Sequence, residues 1–142
     1  MEKYKIHEKK ETVAAYCTTI RGELIDVIYE QLLRKMIVEK RYRDPALKSQ
    51  TLAKEIGTNV RYISATVRLR MQQNFSDFVN GFRVRDAISM LTDKRYRGLT
   101  MAEICNMCGF ANRQTFYTAF FRAEGITPKQ FQANFYARIA KK

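Results

Sequence analysis

Only two prolines and six glycines occur in the 142 residues, so chain-breaking positions are few and helix is favoured over the turn-rich patterns of sheet proteins. Three cysteines are too few, and odd in number, for a disulfide framework, and a reducing cytoplasm is the expected setting. No apolar run approaches the ~20 residues that a membrane-spanning helix needs. The amino terminus, MEKYKIHEKKET, is charged where a secretory signal would be apolar. The single histidine, His7, lies in that polar terminus, so a Ser-His-Asp arrangement has nothing to build on, and there is no glycine loop to cradle a phosphate. Neither enzyme activity nor a cofactor nor a metal is expected.

Positive charge, in contrast, is abundant. Lysine and arginine number 26 against 14 aspartates and glutamates, a net charge of +12 with an isoelectric point near 9.8. Such a balance points to a polyanionic partner, most often nucleic acid. The carboxylates are also unevenly spread. None occurs from Ile56 to Ser76 or from Ile104 to Ala123, where average composition would put about two in each stretch.

Hydrophobic spacing organises the chain as all-α. Leu24, Ile25, Ile28, Leu32, Met36 and Ile37 recur at the three- and four-residue steps of a helix with one buried face. That helix should stop near KRYRDP, with its charges solvated, because Pro45 disfavours helix at Asp44. TLAKEIG forms a short helix closed by Gly57. Asn59 is a suitable cap for the next helix, and a longer one is expected after Asn74, carrying Phe78, Phe82, Val84, Ala87, Ile88 and Leu91. TDKRYRGL reads as a loop, and Thr100 with Glu103 forms a capping box.

The pattern then repeats. Ile104, Cys105 and Gly109 stand where Leu52, Ala53 and Gly57 stood, at an offset of 52. After one inserted residue, Ile63, Val67, Phe78 and Phe82 correspond to Phe116, Phe120, Phe131 and Phe135. The chain contains two imperfect copies of one unit, a short helix, a glycine turn and a second helix, which is the shape of a helix-turn-helix. On the second helices, Ile63 and Val67 point inward, as do Phe116, Ala119, Phe120 and Ala123. Arg61, Ser64, Ala65 and Arg68 fall on the outer face of one, and Gln114, Tyr117, Thr118 and Phe121 on that of the other.

LAKEIG with the downstream YIS, and the longer run IC-x-x-CGF-x-x-x-x-F-x-x-x-FR-x-x-GITPKQF from Ile104 to Phe131, resemble the DNA-binding domain of the AraC-type transcription regulators. The resemblance implies two helix-turn-helix units joined by one long helix, inserting recognition helices into successive major grooves of double-stranded DNA. The domain would span residues 45–136, with units at about 49–72 and 100–124 and a linker helix at about 75–92. A helical extension over 1–44 would precede it and a basic tail over 137–142 would follow. By matched position, Arg61, Ser64 and Ala65 would read bases in the first unit, and Arg113, Gln114, Thr115 and Thr118 in the second. Arg68 and Arg122, with the helix starts at Asn59, Thr100 and Asn112, would hold phosphates. Four positions depart from the family pattern: Ala65 replaces a larger polar residue, Gln72 a glycine, Phe121 a basic residue, and Cys105 an alanine of similar volume. Members often carry a separate sensor domain, for which these 142 residues leave no room, so the expectation is either a complete small regulator or the carboxy-terminal piece of a larger one; binding of DNA by a single chain is expected.

Two readings compete with these. Cys105 and Cys108 have the spacing of a redox or metal pair, but a structural zinc site takes four ligands, and only Cys17 and His7 remain to complete one. Their alignment with Ala53 and Ile56 makes them packing residues of a short helix. The second reading is a basic helical interaction module that uses Phe121 and the amino-terminal helix to engage RNA polymerase or another regulator, with weak DNA affinity of its own.

Overall fold

The computed structural model describes residues 21–141. His7, Cys17 and the first part of the amino-terminal extension lie outside the described residues. Seven helices carry the described chain: α1 over residues 21–37, α2 Ser49–Ile56, α3 Val60–Met71, α4 Phe75–Leu91, α5 Met101–Cys108, α6 Arg113–Glu124 and α7 Pro128–Ala140. Single 3-10 turns stand at Arg41–Arg43 and Lys94–Tyr96, and no strand occurs among the described residues. None of these helices is long and apolar enough to cross a membrane. The last, α7, runs on through the start of the expected basic tail, because FYARIA continues its apolar spacing.

The duplication is metrical as well as sequential. Helices α2 and α5 have eight residues each, α3 and α6 twelve each. The inserted residue falls in the second turn, residues 109–112 against 57–59. Asn59 and Asn112 both cap, accepting from the backbone N–H of Tyr62 and Thr115 at 3.0 and 2.8 Å. These bonds satisfy amides that the helix start leaves without partners.

Two buried clusters form, one beneath each unit, and α4 serves both. Phe78 and Val79 enter the first, while Val84, Ala87, Met90 and Leu91 enter the second. With about 100° between successive residues, these two stripes lie on roughly opposite sides of α4. The helix therefore buries one side in its first half and the other in its second, which is how one rod joins two cores.

Helix α1 packs into the first cluster through Ile28, Leu32 and Met36. Leu24 and Ile37, expected on its buried face, are 38% and 60% exposed. Each stands about 100° from the nearest residue of the stripe Ile25, Ile28, Leu32 and Met36; Leu24 borders an open depression with Ile56 and Tyr62 that no side chain fills.

The KRYRDP segment also departs from its expectation as a solvated stop. Tyr42 is buried. Arg41 forms a double hydrogen bond with Glu55 at 3.2 and 2.7 Å, and Arg43 one with Asp86 at 2.8 and 3.0 Å. Arg83, buried on α4, donates to the carbonyls of Tyr42 at 2.7 Å and Asp44 at 3.0 Å, and its guanidinium stands 5.8 Å from the centre of the Phe110 ring. Burial lowers the Arg83 pKa, and the two carbonyls supply the solvation that water would have given. Gly109, the turn of the second unit, has φ +95°, and a Cβ there would collide with the Tyr42 carbonyl and the Arg43 backbone. The 3-10 turn is thus wedged between α4 and the second unit.

Candidate nucleic-acid interface

Each outward surface follows from the anchoring of the face behind it. On α3, Ile63, Thr66 and Val67 are buried, and the Thr66 hydroxyl donates to the Tyr62 carbonyl at 2.7 Å instead of needing water. Arg61, Ser64 and Arg68 are consequently exposed, with Ala65 half-buried beside them. On α6, Phe116 and Phe120 are buried and stack edge to face with centroids 6.0 Å apart. Arg113, Gln114, Thr115 and Thr118 are exposed. Two side chains fall elsewhere than expected: Ala123 is exposed, at the last turn where the core has ended, and Tyr117 packs half-buried against the second cluster.

The cap residues differ in what they leave free. Asn112 accepts from both the Thr115 amide and the Thr115 hydroxyl, the latter at 2.9 Å, so Thr115 keeps only its methyl and its hydroxyl lone pairs for another partner. At the start of α5, the Thr100 amide and hydroxyl both donate to Glu103, at 3.3 and 3.1 Å. A carboxylate already fills that terminus, so it has less to offer a phosphate than the starts of α3 and α6.

Cations dominate the outer surface. Among the described residues, Arg61, Arg68 and Arg113 have no carboxylate within ion-pair distance, whereas Arg122 approaches Asp77 at 3.5 Å with both side chains largely exposed. Asp77 sits on α4, where it lines a groove of about 530 Å³ with Ser76, Asn80, Gln114, Thr115 and Thr118. The polar side of α4 therefore adjoins the outward stripe of α6. Its signal in the sequence is the set Gln73, Ser76 and Asn80 at three- and four-residue spacing, which the stronger apolar stripe of the same helix masks.

The lengths and caps of α3 and α6 set their residue correspondence. Asn59 matches Asn112, and Gln72 matches Gly125; both of the latter are left-handed, at φ 55° and 77°. It follows that Arg61 matches Gln114, Ala65 matches Thr118, Arg68 matches Phe121 and Leu69 matches Arg122. The two outward stripes share a frame but not a chemistry.

Cys105 and Cys108 are buried. The Cys105 thiol lies 3.9 Å from the Phe110 carbonyl, and that of Cys108 3.9 Å from the Met90 sulfur. Burial raises both pKa values, that of Cys108 to about 12. Both stay protonated at neutral pH, whereas the thiolate is the nucleophile and metal ligand. No cluster of three or more potential metal-ligating side chains occurs among the described residues.

Residues 52–134 match the model of a family described as a helix-turn-helix domain. Among solved structures, the chain is similar to the C-terminal domain of AraT, a response regulator from Geobacillus stearothermophilus: 19% identity and TM-score 0.63, covering 76% of this chain and 84% of that one. The C-terminal domain of the two-component response regulator yesN from Fusobacterium nucleatum is 25% identical with TM-score 0.61, covering 72% and 97%. A transcriptional regulator with an AraC-type DNA-binding domain from Chromobacterium violaceum is 19% identical with TM-score 0.56, covering 63% and 77%. No curated protein matches the chain.

Proposed function

We propose that this chain, which belongs to the AraC-type helix-turn-helix family of DNA-binding transcription regulators, reads a specific double-stranded sequence by placing α3 and α6 in successive major grooves. The supporting observation is the pair of equal, Asn-capped helices whose outward stripes carry hydrogen-bond donors and no carboxylate. Arg61 and Arg113 suit guanine O6 and N7, and Gln114 suits adenine N6 and N7. Ser64 bonds either kind of edge, and the methyls of Ala65, Thr115 and Thr118 suit thymine.

Phosphates are held by Arg68 and Arg122 and by the amides at the starts of α3 and α6, after Asn59 and Asn112; the Thr100 terminus contributes least. Arg122 exchanges its exposed Asp77 partner for phosphate. The protein works in the cytoplasm, where the DNA is.

Selection of bound sequences from random duplex DNA, followed by affinity measurement on selected and random duplexes at two salt concentrations, tests this reading. A specificity ratio of about 10³ or more is expected, with affinity falling steeply as salt rises and a protected site of roughly 20 base pairs. No enriched sequence would overturn it. In that event the interaction reading gains, through Leu24 and Val27 of α1, which stand exposed beside Ile56 and Tyr62; RNA polymerase would be the partner to assay.

A further inference from the structure

One side chain on the outward stripe of α6 has neither a hydrogen bond nor a charge to offer. Phe121 is 56% exposed. It follows Thr118 by three residues and Gln114 by seven, so at about 100° per residue all three lie within a sector of about 60°, opposite the buried Phe116 and Phe120. Tyr117, Thr118, Arg122 and Thr127 share a shallow, mostly apolar depression with it. The matched residue of the first unit is Arg68.

The surroundings define the partner. No carboxylate stands from Ile104 to Ala123, and the first, Glu124, is exposed in the last turn of α6 beyond Phe121, so an anionic surface approaches the ring from the Gln114 and Thr118 side, and that surface must carry an apolar spot. In the major groove one base supplies it: thymine, through its C5 methyl, which apolar side chains including phenylalanine contact. That methyl projects toward the backbone side of the groove, within reach of a residue farther along the helix than the base-reading amide of Gln114.

We propose that Phe121, with the methyl of Thr118, reads a thymine C5 methyl at the edge of the half-site occupied by α6. At the matched edge of the α3 half-site, where Arg68 stands in place of Phe121, no such preference is expected. This rests on α6 being a recognition helix, and the test separates the two ideas. In the selected duplex, each thymine of the α6 half is replaced in turn by deoxyuridine, which pairs identically and lacks only the methyl. At one or two positions the wild-type chain should lose affinity about three- to fourfold, the effect of burying one methyl group. Phe121→Ala should abolish that dependence, and Phe121→Leu should keep most of it. Circular dichroism checks that both variants fold.

Equal deoxyuridine losses in wild type and Phe121→Ala, or no thymine dependence in the α6 half, would overturn the proposal while leaving α6 a recognition helix. Binding of Phe121→Ala to DNA unchanged but to RNA polymerase weakened would also overturn it, and would assign the ring to a protein partner. A selection that returns no sequence at all would overturn the recognition reading itself.

Discussion

The two helix-turn-helix units have the same helix lengths but are stabilised from different distances. The second carries its own local signals: a Thr100–Glu103 capping box opens α5, and Gly125 closes α6 in the left-handed region. The first lacks both. Lys48 precedes α2 without a side-chain cap, and α3 ends on Gln72, a non-glycine residue at φ 55°. Compensation arrives from far along the chain. Glu55 is held by Lys35 at 3.1 Å and Arg41 at 2.7 Å, Arg70 pairs with Asp26, and the Tyr29 hydroxyl donates to the Met71 sulfur at 3.4 Å. Exposed pairs of this kind are worth little singly, so the apolar face of α1 supplies most of the support. The second helix of such a unit can thus be set either by its neighbours in sequence or by a brace.

The sharpest contrast is between the two turn glycines. Gly109→Ala should destabilise by roughly 3–5 kcal/mol, since backbone would have to move as well as adopt a strained conformation. Gly57→Ala, at φ +87° with open space around it, should cost only about 1–2 kcal/mol. Denaturant unfolding of both variants reads the difference, and equal costs would mean that the 3-10 turn yields easily.

Removing part of the brace is the next effect in size. Leu32, fully buried in the first cluster, should cost about 3 kcal/mol as Leu32→Ala. A cost under about 0.5 kcal/mol, typical of surface sites, would reduce α1 to an appendage.

On DNA, the matched residues Arg61 and Gln114 should each cost about 2 kcal/mol as alanine variants and relax one position, a guanine for the first and an adenine for the second. Arg68→Ala should weaken all duplexes alike and reduce the salt slope by about one. Competition titrations with single-base variants of the selected duplex distinguish these patterns.

Capping gives a smaller asymmetry: Thr100→Ala should lose about 1 kcal/mol, and Lys48→Ala almost nothing. Smallest is Gln72→Gly, which should stabilise the first unit by about 0.5 kcal/mol, the left-handed strain relieved being partly offset by a freer unfolded chain. Thermal unfolding of the three variants resolves both.

Much of this frame is legible in the residues. The Asn59 and Asn112 caps, the Thr100 box, the turns at Gly57 and Gly109 and the inward Ile63, Val67, Phe116 and Phe120 all depend on residues within one or two helical turns of each other. The outer edges of stripes are harder. Leu24, Ile37 and Ala123 have the spacing of core residues, but their burial depends on whether another element reaches that far round. Periodicity puts Phe121 on the outer face and the repeat pairs it with Arg68, whereas its 56% exposure follows from how α6 packs.

Local sequence is enough to specify the helices, their duplication, their caps and the carboxylate-free stripes, because helical hydrogen bonds and periodicity join residues at most four apart. Tertiary structure alone decided how the two units are held. Arg43 meets Asp86 and Arg83 meets Tyr42 across 43 and 41 residues, and Gly109 must be bare because a turn more than sixty residues earlier lies against it. No local pattern encodes such a meeting. In sequence, RYR is one more basic cluster, and only its position between α4 and α5 makes it the joint of the domain.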